Sequence, residues 1–244
     1  MSSMKYRVSL SSLVAASAFA VIWIGFASDW AWLSAVDNSL LRVTHDFGIK
    51  HPTWISFWVT VSAVLGPPAF RVVAIPFIVV ALVERRWRAA FFLALTIGVS
   101  DHLSDAVKNI SDRPRPPSAL VAGTSTSFPS GHALSATVGV LALLTVCWSL
   151  IPKRLHTPSI VIGTVVVVTV GAARVLLNVH NPSDVVAGCA LGYLYYLFCL
   201  AVVTLSPPWR APLDQLALTR RRSRGAAPDR EGSQNAASAP PSAK

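Results

Sequence analysis

Long runs of apolar residues, broken by short polar segments, are the main pattern along this chain. No charged residue occurs from Val8 to Ser28, a stretch long enough for one membrane span of ~20 residues. Later apolar runs extend from Trp87 to about Val107, from Ala133 to Ile151, from Pro158 to Ala173 and from Val185 to Ser206. Runs of this length and composition predict transmembrane helices.

The segment from Trp54 to Val83 is harder to divide, because Pro67 and Pro68 interrupt it and Arg71 follows them. Proline cannot continue the hydrogen-bond ladder of a helix. We therefore predict an interfacial or re-entrant helix before the prolines and a second span of about seventeen residues after them, with Arg71 snorkelling from its outer end. Residues 29–52, which are rich in Trp, Asp and His, are predicted to lie at the outer interface.

Together these segments predict an all-α, polytopic membrane helix bundle of about six transmembrane helices, plus the interfacial or re-entrant helix before the second span. An even number of spans places both termini on one side of the membrane. The basic clusters agree with that side being the cytoplasm, because all of them then lie inside. They are Lys5 with Arg7, Arg85-Arg86-Arg88, Lys153-Arg154, and the tail after Pro207. We predict a multi-pass protein of the cell (plasma) membrane.

Composition supports the membrane class and divides the chain in two. The chain is 53% hydrophobic and only 13% charged, whereas soluble domains carry roughly a quarter charged residues. Residues 1–207 are predicted to form the membrane-embedded domain, and residues 208–244 a basic, disordered cytoplasmic tail that cannot bury a core. The net charge of +10 is interpreted as orientation in the bilayer rather than nucleic-acid binding, since aromatic and basic residues do not interleave.

Three polar clusters stand out against this apolar background, each near the end of a predicted span. In chain order they are Lys108 with Arg115-Pro116; Pro129-Ser130-Gly131-His132; and Arg174 with His180 and Asp184. Ionisable groups are rare in membrane segments and mark functional sites where they occur. The predicted topology places all three clusters at the outer face, which indicates a phosphate-handling site there.

The residue types in these clusters suit phosphate chemistry. Lys108, Arg115 and Arg174 supply positive charge, and the planar arginine fork matches phosphate oxygens. Ser130 and Gly131 come directly before an apolar helix, whose N-terminal N–H groups bind anions. The two histidines of the clusters can divide the remaining work, one as a neutral nucleophile and the other as a protonated acid.

Each cluster also has a purely structural interpretation. Lys108 can snorkel at the end of its span, and Pro-Ser-Gly-His can be a turn before a helix. Asn181, Pro182 and Asp184 fit an N-cap, a first helical position and an acid in the first turn, a role that leaves Asp184 free to orient His180. The occurrence of all three clusters, in order and on one predicted face, favours the catalytic interpretation.

The clusters resemble the tripartite signature of the type 2 phosphatidic acid phosphatase superfamily, in particular its bacterial polyprenyl-diphosphate and phosphatidylglycerophosphate phosphatases. The first motif, Lys, six residues, then Arg-Pro, matches Lys108 to Pro116. The second, Pro-Ser-Gly-His, is unchanged at residues 129–132. The third, Ser-Arg, five residues, His, three residues, Asp, matches residues 174–184, with Ala173 in place of the leading serine.

The resemblance implies a role for each matching residue. His180 would attack phosphorus and form a phosphohistidine, Asp184 would fix its ring, and His132 would protonate the leaving oxygen. The residues implied to hold the phosphate are Lys108, Arg115, Ser130, Gly131 and Arg174. The resemblance implies no cofactor and no metal, and the scarcity of clustered carboxylates also disfavours a two-metal site. Ala173 removes one hydroxyl donor, worth about 1 kcal/mol, so we expect tuning rather than inactivation.

Two further residues are candidates for accessory roles. The family spacing selects Arg115 for the phosphate, whereas Arg113 either assists it or belongs to a diphosphate subsite. Asp101 and Asp105 share a helix face with Lys108 through their three- and four-residue spacing. This spacing predicts an internal ion pair that positions Lys108, with sensing of the substrate headgroup as the alternative.

The expected function is an integral-membrane lipid phosphatase that hydrolyses a phosphate ester or diphosphate, without a metal, at the outer leaflet. An outward site suits recycling of a carrier lipid, which favours a polyprenyl diphosphate over phosphatidic acid or phosphatidylglycerophosphate. A lipid phosphotransferase is the enzymatic alternative, and the apolar runs disfavour a soluble vanadate-dependent haloperoxidase. A catalytically silent transporter or scaffold is disfavoured by the intact His132, His180 and Asp184. The expected partners are the lipid substrate and the bilayer; the oligomeric state stays open.

Overall fold

The computed structural model describes residues 2–123 and 125–205. All regular secondary structure within these ranges is helical. The helices are α1 (Ser2–Ala27), α2 (Ala31–Gly48), α3 (Pro52–Val64), α4 (Pro67–Val83), α5 (Trp87–Ser111), α6 (Gly131–Cys147), α7 (His156–Leu176) and α8 (Pro182–Leu205), with a short 3₁₀ helix at Lys153–Leu155. The predicted all-α membrane bundle is confirmed.

Five segments of the described chain are long and apolar enough to cross a membrane. They are Ser9–Ala27, Pro52–Val83, Trp87–Ser111, Lys153–Leu176 and Pro182–Leu205. Helix α6 is apolar as well, but it has only 17 residues. The protein is therefore a multi-pass membrane protein, while the predicted count of six spans is not confirmed.

The centre of the bundle is formed by α4, α5, α6 and α7, with α5 packed against both α4 and α6. Its buried side chains include Phe70, Phe92, Leu93 and Val170. Small residues bring α8 close to α6: a Cβ added to Gly188 would lie 2.5 Å from the Ser130 carbonyl oxygen. Such close approach through small residues is typical of helix packing in membranes, and here it places the start of α6 against α8.

Four helix ends that carry the predicted motifs meet at one end of this bundle. Lys108 lies in the last turn of α5 and Arg174 in the last turn of α7. Gly131 begins α6, and Pro182 begins α8 with Asp184 in its first turn. The predicted start of the last helix at Pro182 is therefore correct, and the antiparallel order of the helices gathers residues that are far apart in sequence.

Helix α2 is the main element that the hydrophobic pattern did not define. Residues 29–52 were predicted only to lie at the interface, yet Ala31–Gly48 forms an 18-residue helix. One of its faces is buried through Leu33, Asp37, Leu41 and Thr44. The neighbouring face exposes large apolar side chains: Trp32, Val36, Leu40, Val43 and Phe47. Such a two-faced helix suits a position between bilayer and protein.

The break at the two prolines occurs where it was predicted. Helix α3 ends at Val64, and Gly66 precedes α4, whose first residue is Pro67. Arg71 differs from the prediction, because its guanidinium pairs with the Asp101 carboxylate on α5. Two charges that face each other between helices avoid the penalty of separate burial, so Arg71 has a protein partner and is not explained by snorkelling alone.

The chain divides into two units, Met1–Val203 and Thr204–Lys244. Only Thr204 and Leu205 of the second unit belong to the described residues. The predicted basic tail at 208–244 therefore lies outside the residues that the structure describes.

Candidate active site

His180 is the buried centre of the polar residues at this end of the bundle, with 2% of its surface exposed. Its Nε2 lies 3.5 Å from Nη1 of Arg115, and its Nδ1 lies 3.7 Å from Oδ2 of Asp184. Burial is the main cause that lowers the pKa of His180 to about 4, with Arg174 and Arg115 acting in the same direction and Asp184 opposing them. At neutral pH the imidazole is therefore uncharged, with a lone pair available for attack.

Asp184 is fully buried, and hydrogen bonds to both oxygens fix its carboxylate. Oδ2 accepts hydrogen bonds from the Ser127 hydroxyl at 2.8 Å and from the backbone N–H of Asn181 at 2.8 Å. Oδ1 accepts one from Nη1 of Arg113 at 2.5 Å. Hydrogen bonds to a carboxylate favour its charged form, so Asp184 presents a fixed negative charge to the Nδ1 side of His180.

Arg113 occupies a different place from the one that its sequence position suggested. Its Nη1 binds Asp184, and its Nη2 donates to Oδ2 of Asp37 at 2.9 Å. Its sequence position predicts that Arg113 assists Arg115 or belongs to a diphosphate subsite. Its guanidinium bridges two carboxylates, which favours a positioning role over a diphosphate subsite.

Asp37 is a residue of this network that the sequence analysis missed. It lies on α2, is 2% exposed, and accepts hydrogen bonds from the Ser183 hydroxyl at 2.6 Å and the Ser183 N–H at 3.0 Å. An acid in a segment with many polar residues carries no signal of its own. Its contact with Ser183, across 146 positions of sequence, exists only in the fold.

Lys108 and Arg115 line a cavity of about 1000 Å³ together with Asp105, Asn109 and Asp112. The two cations meet at Ser125, whose hydroxyl lies 3.2 Å from Nζ of Lys108 and 3.3 Å from Nη2 of Arg115. Arg115 also donates to the backbone carbonyls of Ser125 and Val179, at 2.7 and 2.8 Å. These contacts aim two positive charges into the cavity.

Two buried hydroxyls lie beside the first turn of α6, that of Ser130 at its N-cap and that of Ser104 on α5. The described part of the chain provides no hydrogen-bond partner for either. A Cβ added to Gly131 would lie 2.9 Å from Oγ of Ser104 and 3.6 Å from Nζ of Lys108. Glycine therefore keeps this space open beside the first N–H groups of the helix, where anions bind. Ser104 was not predicted; its position four residues before Lys108 was the available signal.

Arg174 and His132 face the turn between α3 and α4. Nη1 of Arg174 donates to the Ser62 hydroxyl at 2.8 Å, while its buried Nε has no partner among the described residues. A Cβ added to Gly66 would lie 3.5 Å from Nε2 of His132. The turn therefore closes this side of the site. The Ser62 hydroxyl lies beside Arg174. Ala173, which replaces the serine of the motif, is fully buried.

The acidic residues on α5 do not share one role. Asp101 pairs with Arg71 and accepts a hydrogen bond from the Ser135 hydroxyl at 2.8 Å. Among the described residues, no ion pair within 4.0 Å joins Lys108 to Asp101 or to Asp105, so the predicted internal ion pair is not formed. Asp105 lines the same cavity as Lys108.

Within residues 2–123 and 125–205, no group of three His, Cys, Asp or Glu side chains is arranged to hold a metal ion.

Comparison with known proteins connects this geometry to a family. The model of the PAP2 superfamily matches residues 89–207. Phosphatidylglycerophosphatase B of Bacillus subtilis (strain 168) is 31% identical over 152 residues, which cover 61% of this chain and 69% of that protein. An undecaprenyl-diphosphatase of Sulfolobus acidocaldarius is 39% identical over 69 residues, covering 28% of this chain and 30% of that protein.

A solved structure has the same fold. It is the crystal structure of a transmembrane PAP2-type phosphatidylglycerolphosphate phosphatase from Bacillus subtilis, with a TM-score of 0.64 and 22% sequence identity. The alignment covers 82% of this chain and 99% of that one. At this identity the similarity shows the fold alone.

Proposed function

This chain belongs to the PAP2 superfamily, and from that premise we propose that it hydrolyses a lipid phosphate ester or diphosphate through a phosphohistidine on His180. The observation that carries the proposal is the environment of His180. Its imidazole is buried, with Nε2 3.5 Å from the Arg115 guanidinium and Nδ1 facing the Asp184 carboxylate at 3.7 Å. A neutral ring between a cation and a carboxylate is arranged for attack on a bound phosphate.

The substrate phosphate is held by a set of groups that we call the phosphate-binding side. It comprises Lys108, Arg115, Arg174, the Gly131 N–H and the hydroxyls of Ser104 and Ser130. Its three cations offset the negative charge of the phosphate oxygens, which would otherwise repel the nucleophile. The helix N-terminus adds directed N–H donors without a charged side chain.

The reaction has two steps with His132 acting in both. The Nε2 lone pair of His180 forms a bond to phosphorus, the bond from phosphorus to the leaving oxygen breaks, and His132 donates a proton to that oxygen. His132 then accepts a proton from water, whose oxygen attacks phosphorus, and the bond to His180 breaks. Inorganic phosphate is released and both histidines return to their starting states.

The chain's own groups account for this chemistry without a metal, since cations and N–H groups do the work that a metal ion does elsewhere. A polyprenyl diphosphate stays the favoured substrate, because a site at the outer face suits carrier-lipid recycling. Arg113 gives this preference no support, since both of its terminal nitrogens bind carboxylates. Phosphatidic acid and phosphatidylglycerophosphate are the alternative substrates, and transfer of phosphate to another lipid is the alternative reaction.

The test uses purified protein in detergent, in the presence of a chelator, with a polyprenyl diphosphate, phosphatidic acid and phosphatidylglycerophosphate as separate substrates. We expect phosphate release from at least one of them and its loss in His180→Ala. His102→Ala is the matched control, because His102 is an exposed histidine of α5, and it should keep wild-type activity. Unchanged release by His180→Ala would refute the nucleophile assignment, and loss of activity on chelation would refute metal independence.

The proposal also places the site at the outer face of the plasma membrane, with cytoplasmic termini. A cysteine at exposed Ala119, near the site, should then react with a membrane-impermeant thiol reagent in intact cells. Lys153→Cys, at the opposite end of the bundle, should react only after the cells are opened. The reverse pattern would contradict the predicted orientation.

A further inference from the structure

A row of alternating charges lies behind the nucleophile and involves residues to which the proposed reaction gives no role. Arg113 lies between Asp37 and Asp184, and Asp184 faces Nδ1 of His180. We propose that Asp37 and Arg113 are positioning residues that set the orientation and the effective charge of Asp184, and through it the reactivity of His180. This inference rests on the proposed function.

The geometry of this Asp37–Arg113–Asp184 triad is closely defined. One terminal nitrogen of the Arg113 guanidinium donates to Asp184 at 2.5 Å and the other to Asp37 at 2.9 Å. The side chains of Asp37, Arg113 and Asp184 are 2%, 14% and 0% exposed. Because both carboxylates are almost completely buried, these charges act on one another more strongly than they would at a surface.

Arg113 has no free side for a phosphate. Its two terminal nitrogens bind carboxylates, and Nη1 also donates to the Ser183 hydroxyl at 2.9 Å. The flat face of the guanidinium stacks against Phe26, with Cζ 5.2 Å from the ring centroid. A cation enclosed in this way acts on its carboxylate partners and does not reach a substrate.

Asp37 also fixes the backbone next to Asp184, in addition to its effect on the charge of Asp184. The Asp37 carboxylate accepts the N–H and the hydroxyl of Ser183 at 3.0 and 2.6 Å. Ser183 immediately precedes Asp184 in the first turn of α8. Helix α2, which lies outside the part of the chain that the PAP2 superfamily model matches, therefore fixes this turn through one side chain.

The charge of Asp37 matters because of what happens to His180 during the reaction. When Nε2 bonds to phosphorus, the imidazole ring gains positive charge. The triad carries a net charge of −1 and stabilises that ring from its Nδ1 side. With a neutral residue at position 37, the Arg113 cation offsets Asp184, and the field that stabilises the ring weakens.

A second attachment of α2, to the segment between α7 and α8, provides a matched control. The Thr44 hydroxyl donates to Oδ1 of Asn178 at 2.6 Å, and Nδ2 of Asn178 donates to the Leu41 carbonyl at 2.8 Å. This contact is buried like that of Asp37 and ties the same helix to the segment just before α8. It carries no charge and does not touch Asp184.

The test compares Asp37→Asn, Thr44→Val and wild type in phosphate-release kinetics on whichever lipid the wild type hydrolyses best. We expect Asp37→Asn to lower kcat about 10- to 100-fold while KM changes less than about threefold, because the triad acts on the reacting ring and not on the bound phosphate. Thr44→Val should lower the melting temperature, since it leaves a buried Asn178 oxygen unpaired, yet keep kcat within about twofold of wild type.

A second variant keeps the inference testable if Asp37→Asn does not fold. Arg113→Lys retains the cation but loses the planar fork that joins the two carboxylates, and kcat should fall about tenfold with little change in KM. A wild-type kcat in either variant, or an equal loss in Thr44→Val, overturns the positioning role while leaving the proposed function intact. Absence of hydrolysis by the wild type refutes the proposed function, and the inference with it.

Discussion

The two sides of His180 differ in how their charges are satisfied. On the triad side, Arg113 has a carboxylate on each terminal nitrogen. On the phosphate-binding side, Lys108, Arg115 and Arg174 pair with no carboxylate within 4.0 Å in the described part of the chain. Their hydrogen-bond partners are hydroxyls, backbone carbonyls and, for Arg115, the His180 imidazole.

This difference separates structural charge from functional charge. A buried ion pair with complete hydrogen bonding is self-contained and holds a shape. Three cations held together without counter-ions are unfavourable until an anion arrives, so their arrangement stores affinity for phosphate. Arg113 and Arg115 are two residues apart and both are followed by proline. Arg113 nevertheless belongs to the triad side and Arg115 to the phosphate-binding side.

Removing the cation of the triad should have the largest effect on stability. Arg113→Met leaves two buried carboxylates without their partner, which should reduce the free energy of unfolding by about 3–5 kcal/mol. The measurement is thermal unfolding in detergent beside Arg115→Met as the matched control. Arg115→Met should lose less, about 1 kcal/mol for each hydrogen bond to the Ser125 and Val179 carbonyls, because it leaves no buried carboxylate without a partner. Equal losses in the two variants would contradict the division between the sides.

The same two variants should rank the other way in activity, with the larger loss in Arg115→Met. Arg115→Met removes a charge aimed at the phosphate and should lower kcat/KM by about 100- to 1000-fold, or ~3–4 kcal/mol of transition-state stabilisation. Initial rates of phosphate release provide the measurement. A change below about tenfold would mean that Arg115 does not contact the transferred phosphate.

Acid should weaken the fold through His180, which lies between the two sides. Its pKa is about 4 in the folded protein and about 6.5 when unfolded. The unfolded state therefore binds the extra proton first, and stability is lost as pH falls from about 6.5 to 4. The loss is on the order of 3 kcal/mol.

Unfolding of wild type and His180→Asn across this pH range measures that contribution as the difference between the two curves. A His180→Asn curve parallel to that of the wild type would contradict the buried, neutral imidazole.

The smallest predicted effect concerns a single hydroxyl on the phosphate-binding side. Ser104→Ala removes a donor that has no protein partner among the described residues, so stability should not fall. Binding of the substrate phosphate should weaken by about 1 kcal/mol, which corresponds to a roughly fivefold higher KM. Kinetics beside Ser135→Ala, which loses a contact to Asp101 instead, separate this effect from a general disturbance of the α5–α6 interface.

Much of the fold was predictable because membrane helices leave a strong local signal. The apolar runs located α1, α5, α6, α7 and α8, and the proline pair located the break before α4. The run for α5 ended too early, at about Val107 rather than Ser111, because its last turn carries the polar residues of the site. Helix α2 gave no such signal, since a helix with one apolar and one polar face has a mixed composition.

The candidate site divides in the same way. Motif spacing selected Arg115 over Arg113, and the structure places Arg115 beside His180. The contacts of Arg113 were not predictable from the sequence, because either arginine of an Arg-Pro-Arg-Pro segment can face the phosphate. Its partner Asp37 lies 76 positions away, and no local pattern links the two.

The membrane class, the order of the motif residues and the chemistry that they are suited to perform follow from the amino-acid sequence alone. These properties depend on composition and short spacings, which a linear chain displays directly. Only the tertiary structure decided which cations stay without a carboxylate partner and which are enclosed between carboxylates. Such pairing is decided by which helix ends meet, and in this protein α2 meets the start of α8 through Asp37.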